Sequence, residues 1–229
     1  MKTMNYFGWT VLEEDDRYGP FTEQNIDVTN EDTEEFEKII NEFVPVRDVV
    51  LDVGCHYGFF TRWLSKKFNH VHAFDFNNDV FECFQTNMKN FSLSNVERHP
   101  YGLGDRNATV GTNDRFKKKN YRRGPLGNHI DLNSTDKKYA IKNLDSLNIE
   151  NVNVMMIDTE GFEYYVLKGA EQTIKKYRPI LVVEFHTKNL TKKFFNYPMS
   201  QTEDYLDTLG YRYVRNLNKV DRVYVPKEL

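Results

Sequence analysis

Short apolar runs alternate along this chain with stretches whose apolar residues recur every three or four positions, the pattern of buried parallel strands joined by amphipathic helices. Val49 to Val53 is the first run, broken only by Asp52 near its end, and Val71-His72-Ala73-Phe74-Asp75 is the second. Asn95 to Tyr101, Val152 to Ile157 and Ile180 to Phe185 read as the third, fourth and fifth strands. Ahead of them, Phe36, Ile39, Ile40 and Phe43 repeat at helical spacing in a helix that Asn30 opens, acids fill in its first turn and Pro45 stops. Phe59, Phe60, Trp63, Leu64 and Phe68 form the stripe of the next helix, and Val80, Phe81, Phe84, Met88 and Phe91 that of the one after. Glu163 opens a helix with Val166, Leu167, Ala170 and Ile174 facing inward, which ends before Pro179. In the tail, Tyr205 to Gly210 closes a helix on glycine, and Tyr211 to Val214 with Arg222 to Val225 predicts a hairpin. Five strands alternating with helices predict an α/β sheet wound on both faces.

The turn after the first strand carries the first chemical signal. Gly54-Cys55-His56-Tyr57-Gly58 has two glycines whose missing Cβ atoms let a ligand approach the backbone, and a helix with unpaired N–H groups follows. Asp75 ends the second strand 21 residues after Gly54, where a carboxylate can accept hydrogen bonds from two ribose hydroxyls. Glycine alone also serves turn geometry, but the pair of signals predicts a nucleoside-bearing cofactor held by Asp52, Gly54, His56, Gly58 and Asp75. The turn lacks the G-x-G-x-x-G spacing, and the chain contains no G-x-x-x-x-G-K-[ST], so the dinucleotide and triphosphate readings fall.

Two blocks resemble the FkbM family of S-adenosylmethionine-dependent methyltransferases: Leu51 to Thr61, and Met156 to Glu163 followed by Val166 to Ala170 and Arg178 to Glu184. Between them, Ala73-Phe74-Asp75 stands where the family usually has Phe-Glu-Pro, and the likeness covers roughly residues 48 to 186. The resemblance implies a Rossmann-like class I methyltransferase, with a doubly wound, seven-stranded, mostly parallel sheet and an antiparallel C-terminal hairpin. It also implies S-adenosyl-L-methionine as cofactor and an oxygen nucleophile, on a sugar or another small metabolite. It places Asp105 at a Leu-x-Asp position that often holds the adenine amino group, against the plain reading of an aspartate in a turn.

Methyl transfer from a sulfonium needs alignment of the nucleophile and, for a hydroxyl, removal of a proton. Asp158, Glu160, Glu184 and His186 stand at the ends of the fourth and fifth strands, where such groups belong. Asp158 and Glu160, two residues apart, would point the same way if the strand continued, and could share a base role or a metal ion; no metal is assigned. Glu160 as a helix cap is the plainer alternative. His186 is the other candidate base, since imidazole titrates near neutrality. Glu184 is assigned to the acceptor.

Composition adds bounds. A hydrophobic fraction of 39% and an aromatic fraction of 14% suit a single folded domain, here residues 29 to 229 behind an arm or lid of residues 1 to 28. A net charge of −3 predicts no general affinity for nucleic acid, and Cys55 and Cys83 suit neither a disulfide framework nor a zinc site. With no apolar run near 18 residues and no apolar leader, a cytoplasmic protein without a membrane partner is expected. From Arg106 the period fades, and an inserted basic loop over 106 to 143 carries Arg115, Lys117, Lys118, Lys119, Arg122 and Arg123 within nine residues. Such a run is a solvated surface or a trap for an anionic acceptor, such as a phosphorylated sugar. Two other classes compete with the transferase: a nucleotide-dependent oxidoreductase on the same architecture, and an inert cofactor-binding module.

Overall fold

The computed structural model describes residues 2–13, 30–112, 130–131, 138–185 and 190–229. A hairpin of β1 (Thr3–Tyr6) and β2 (Trp9–Leu12) precedes α1 (Asn30–Phe43), β3 (Val49–Val53), α2 (Phe59–Ser65), β4 (His70–Phe74), α3 (Asn78–Asn90) and β5 (Val96–His99). There follow β6 (Gly102–Leu103), β7 (Ala108–Thr112), β8 (Ile130–Asp131), β9 (Tyr139–Lys142), a 3-10 turn at Leu144–Leu147, and β10 (Val152–Ile157). The chain ends with α4 (Glu163–Gly169), α5 (Glu171–Tyr177), β11 (Ile180–Glu184), α6 (Leu190–Phe195), α7 (Ser200–Thr208), β12 (Tyr211–Asn216) and β13 (Asp221–Pro226).

The main sheet has seven strands in the order β12-β13-β11-β10-β3-β4-β5. Strands β11, β10, β3, β4 and β5 run parallel, while β13 pairs antiparallel with β11 and with β12. The strand order reverses between β3 and β10, which opens a crevice beyond their C-terminal ends. Alternation along the strands builds two cores. Leu51, Val53, Met155, Ile157, Leu181 and Val183 pack with Phe162, Val166, Leu167 and Ile174 of the α4–α5 side. Val50, Val154, Met156 and Val182 pack with Phe36, Ile39 and Ile40 of α1 and with Leu64 of α2. Much of the aromatic and aliphatic stripes read from the sequence faces the sheet, while Phe59, Val80 and Phe91 pack against the N-terminal hairpin.

Several boundaries differ from expectation for local reasons. The helix opened by Glu163 is two helices that break at Ala170. A Cβ on Gly169 would stand 1.9 Å from the Gly104 carbonyl oxygen, so the chain there lies hard against the β6 end. The Asp145 carboxylate then starts α5 by accepting the N–H groups of Gln172 and Thr173, each at 2.9 Å. The described part of 106–151 is not a bare loop: β7, β8 and β9 join β6 in a separate four-stranded sheet whose strands are too short to show a period. In the described part of the N-terminal arm Trp9 is buried, its ring 4.4 Å from Phe59 and 4.6 Å from Phe91, while Phe7 is exposed. Asn87 of α3, fully buried, clamps this hairpin by donating to the carbonyls of Thr10 and Tyr57 and accepting the Thr10 N–H.

Candidate active site

The crevice is framed by three turns. The first follows β3: the N–H groups of Gly54 and Cys55 both donate to the Phe74 carbonyl, at 2.9 and 3.1 Å, which ties the turn to β4. His56 takes a left-handed φ of 52° and donates its N–H to Asp75 Oδ2 at 3.0 Å. The second turn follows β4, where Asp75 Oδ1 accepts the Asn77 N–H at 2.8 Å. The third follows β10, where the Asp158 N–H donates to the Val53 carbonyl at 2.9 Å.

Gly54 has a different reason from the one the sequence suggested. Its φ is +95°, and a Cβ built there would stand 1.8 Å from the Asp158 carbonyl oxygen. The missing side chain therefore lets β3 and β10 close on each other, rather than clearing room for a ligand. Gly58 likewise has φ +88° and faces Met88 and Phe84, 2.5 and 2.9 Å from its notional Cβ. Helix α2, with seven residues, contributes only a short dipole.

Carboxylates line the strand ends. Asp52 is 3% exposed and accepts the Thr61 hydroxyl from α2. Burial pushes its pKa up to about 6; the Thr61 hydrogen bond opposes this and the Asp75 charge adds to it. Asp75, half-buried by area, is also held up at about 6 by burial, against the backbone N–H groups of Asn77, His56 and Phe76. Asp158 is exposed by area, yet the protein crowded round its carboxyl, and then the charges of Glu184 and Glu160, hold its pKa well above the ordinary carboxylate range. Among the neighbouring acids, Glu184 is the one that raises Asp158 most. Glu184 is buried and pairs in register with Asp221, another buried acid whose charge also reaches Asp158.

The structure brings Asp52, Gly54, His56, Gly58 and Asp75 together round the first two turns, and the Gly54–Asp158 contact joins them to Asp158, Glu160 and Glu184. Asp158 and Glu160 do not continue the strand: β10 ends at Ile157, and Glu160 sits in a turn with φ 56°. Helix α4 has no side-chain cap; Glu163 Oε1 instead accepts the N–H groups of Thr159 and Gly161 in the preceding turn and the Thr159 hydroxyl, all at 3.0 Å. Asp105 lies 3.3 Å from the Arg106 guanidinium and beside Tyr165. His186, Lys117, Lys118, Lys119, Arg122 and Arg123 lie outside the described residues. Sequence reasoning missed Thr61 and Asp221 as neighbours of the acids and Glu163 as the side chain that holds the turn carrying Asp158 and Glu160. A cavity of about 360 Å³ lined by Thr3, Asn5, Asp79 and Cys83 lies between the hairpin and α3, away from the strand ends.

A nucleoside-bearing sulfonium fits this donor set. Asp75 accepts the backbone N–H groups of His56, Asn77 and Phe76 and still keeps acceptor capacity for a ribose hydroxyl, since a carboxylate offers about four lone-pair sites, and crowded acids with raised pKa values favour a cationic ligand.

Residues 52–213 match the family model described as the methyltransferase FkbM domain. Methyltransferase 1 of Beauveria bassiana (strain ARSEF 2860) is 26% identical over 149 residues, 56% of this chain and 60% of its own length. The crystal structure of Methyltransferase FkbM from Methylobacillus flagellatus KT superposes with a TM-score of 0.53 at 16% identity, covering 78% of this chain and 43% of that one. The chain thus spans less than two thirds of the length of both relatives.

Proposed function

This chain belongs to the FkbM methyltransferase family, and we propose that it transfers the methyl group of S-adenosyl-L-methionine to a hydroxyl of a sugar or similar small metabolite. The observation that carries the reading is the cluster of acids at the strand-order reversal, where Asp75 joins the β3 and β4 turns and the Asp158 backbone closes on Gly54. When bound, the cofactor supplies a methyl carbon with its leaving group already attached. The chain's own residues have three tasks.

Asp75 orients the cofactor by accepting its ribose hydroxyls, while its bonds to the N–H groups of His56 and Asn77 fix the two turns against each other. Asp52 and Thr61 lock α2 under the first turn, so that the crevice floor does not shift as the ligand enters. Asp158 is the group placed to receive the acceptor hydroxyl's proton, since a carboxylate whose pKa is raised by burial and neighbouring charge is the stronger base. Glu160 and His186 are the further candidates around that proton, and Asp105 is kept as an adenine contact from the family likeness. On this reading residues 29 to 229 are the catalytic unit, residues 1 to 28 are an arm, and the basic run over 115 to 123 meets an anionic acceptor. No helix among the described residues is long and apolar enough to cross a membrane.

Labelled S-adenosylmethionine incubated with host extract identifies the acceptor, and two variants then test the roles. Asp158→Asn should lower kcat by roughly 10²-fold or more while S-adenosylhomocysteine still binds. Asp75→Ala should weaken that binding, by about 1.5–3 kcal/mol for each charged hydrogen bond lost. NAD binding in place of S-adenosylhomocysteine would return the oxidoreductase reading, and an unchanged kcat in Asp158→Asn would remove Asp158 as the base.

A further inference from the structure

Histidines gather along the β4–β5 edge of the sheet. His70 and His72 are two residues apart on β4 and so share a face, and His72 pairs in register with Glu97 of β5, the outermost strand on that side. His70 Nε2 lies 3.6 Å from Glu97 Oε2, His72 Nδ1 lies 3.5 Å from the same oxygen, and one ligand atom from each residue fits within 4.8 Å of the others. We propose that His70, His72 and Glu97 form a binding site for a divalent transition ion of the zinc type.

The spacing suits that chemistry. Zinc bonds of about 2.0–2.1 Å at tetrahedral angles separate the ligand atoms by about 3.3 Å, so the Glu97 edges need close by only a few tenths of an ångström. The side chains that would move are the open ones: His70 and Glu97 are 43% and 54% exposed, against 11% for His72. Two imidazoles and one carboxylate favour a borderline ion over magnesium or calcium, which take oxygen ligands.

The surrounding residues allow the lone pairs to turn the right way. His99 Nε2 lies 3.0 Å from His72 Nδ1 and 3.7 Å from Glu97 Oε1, and its Nδ1 lies 3.0 Å from the Tyr101 hydroxyl. A hydroxyl can donate or accept, so Tyr101 supports either tautomer of His99. With Nδ1–H donating to Tyr101, the His99 Nε2 lone pair is available for the fourth corner, and the ring–ring hydrogen bond gives way to the ion. His70 stands five residues before Asp75 on one extended strand, about 16 Å from the crevice. The ion's work is therefore to pin the edge strand β5 to β4, two strands that in its absence are held by the parallel ladder and by packing.

Titration of the tag-free, chelator-stripped chain with zinc should show one saturable equivalent and a rise in Tm, and magnesium should give neither. Cobalt should give visible absorption of tetrahedral strength. His70→Ala and Glu97→Gln change exposed side chains, and each should weaken zinc at least about tenfold and abolish the cobalt bands; Tyr101→Phe should weaken it by about 10–100-fold. Absence of saturable zinc binding, or an affinity unchanged in either His70→Ala or Glu97→Gln, overturns the site. Neither readout depends on methyl transfer, so the site stands or falls apart from the proposed activity.

Discussion

Asp52 and Thr61 form the smallest unit that links sequence to site. The acid breaks an otherwise apolar strand, and the structure puts its carboxyl on the Val50 face, under α2, where the Thr61 hydroxyl reaches it. Removal from water dominates its pKa, which rises from 3.8 to about 6. The sign of the consequence follows from linkage. Between about pH 4 and pH 6 the folded chain holds this proton while the unfolded chain has released it, so stability falls as pH rises through that window and levels off above it. Taking the protein from pH 7 to pH 5 should therefore recover about 1 kcal/mol from Asp52, and Asp52→Asn should remove that part of the slope. Urea unfolding of both proteins at the two pH values measures it; equal slopes would show that the carboxyl is hydrated in the native state.

Between elements, the closest approach is that of β3 to β10, and it turns on Gly54. Gly54→Ala places a methyl group 1.8 Å from a backbone oxygen at φ +95°, and neither strand can yield without breaking its pairing. The expected cost is about 3 kcal/mol or more, read from urea midpoints. Gly58→Ala, which meets the movable end of Met88 first, should cost less. Equal, small losses at both sites would mean that the β3–β10 junction can open. Strands and helices of the main sheet were legible because their residues bury one or both faces and keep a period. What could not be read were features fixed by partners distant in sequence: the break at Ala170, imposed by Gly104, and the small sheet, whose β6 and β8 have two residues each. Within the site, the acids at strand ends were legible as interruptions of apolar runs. Their neighbours were not: Glu163 reaches back four residues to Thr159, outside the usual S/T-x-x-E spacing, and Asp221 arrives from a strand that the sheet order places beside β11.

At the scale of the whole molecule, charge is divided between the crevice and the chain around it. Asp52, Asp75, Asp158, Glu160 and Glu184 make the strand ends an acidic site in a chain of net charge −3, which favours a cationic cofactor and repels an anionic acceptor. An acceptor bearing phosphate or carboxylate needs an opposing field. The basic run over 115 to 123, in the segment joining β7 to β8, is the stretch of sequence able to supply one. Replacing Lys117, Lys118, Lys119, Arg122 and Arg123 with Ser removes five positive charges and should change stability by no more than about 0.5 kcal/mol, as surface substitutions usually do. For an anionic acceptor, KM at low ionic strength should rise severalfold, and the remaining affinity should lose its salt dependence, because screening acts within about 10 Å at 0.1 M salt. S-adenosylhomocysteine affinity should stay the same, since the acids proposed to hold the cofactor are untouched. Kinetics at two ionic strengths, with the acceptor varied, decide between the roles: a KM that does not move at low salt makes this run a solvated surface, and a KM that moves equally for a neutral acceptor makes it part of the fold of the pocket rather than its field.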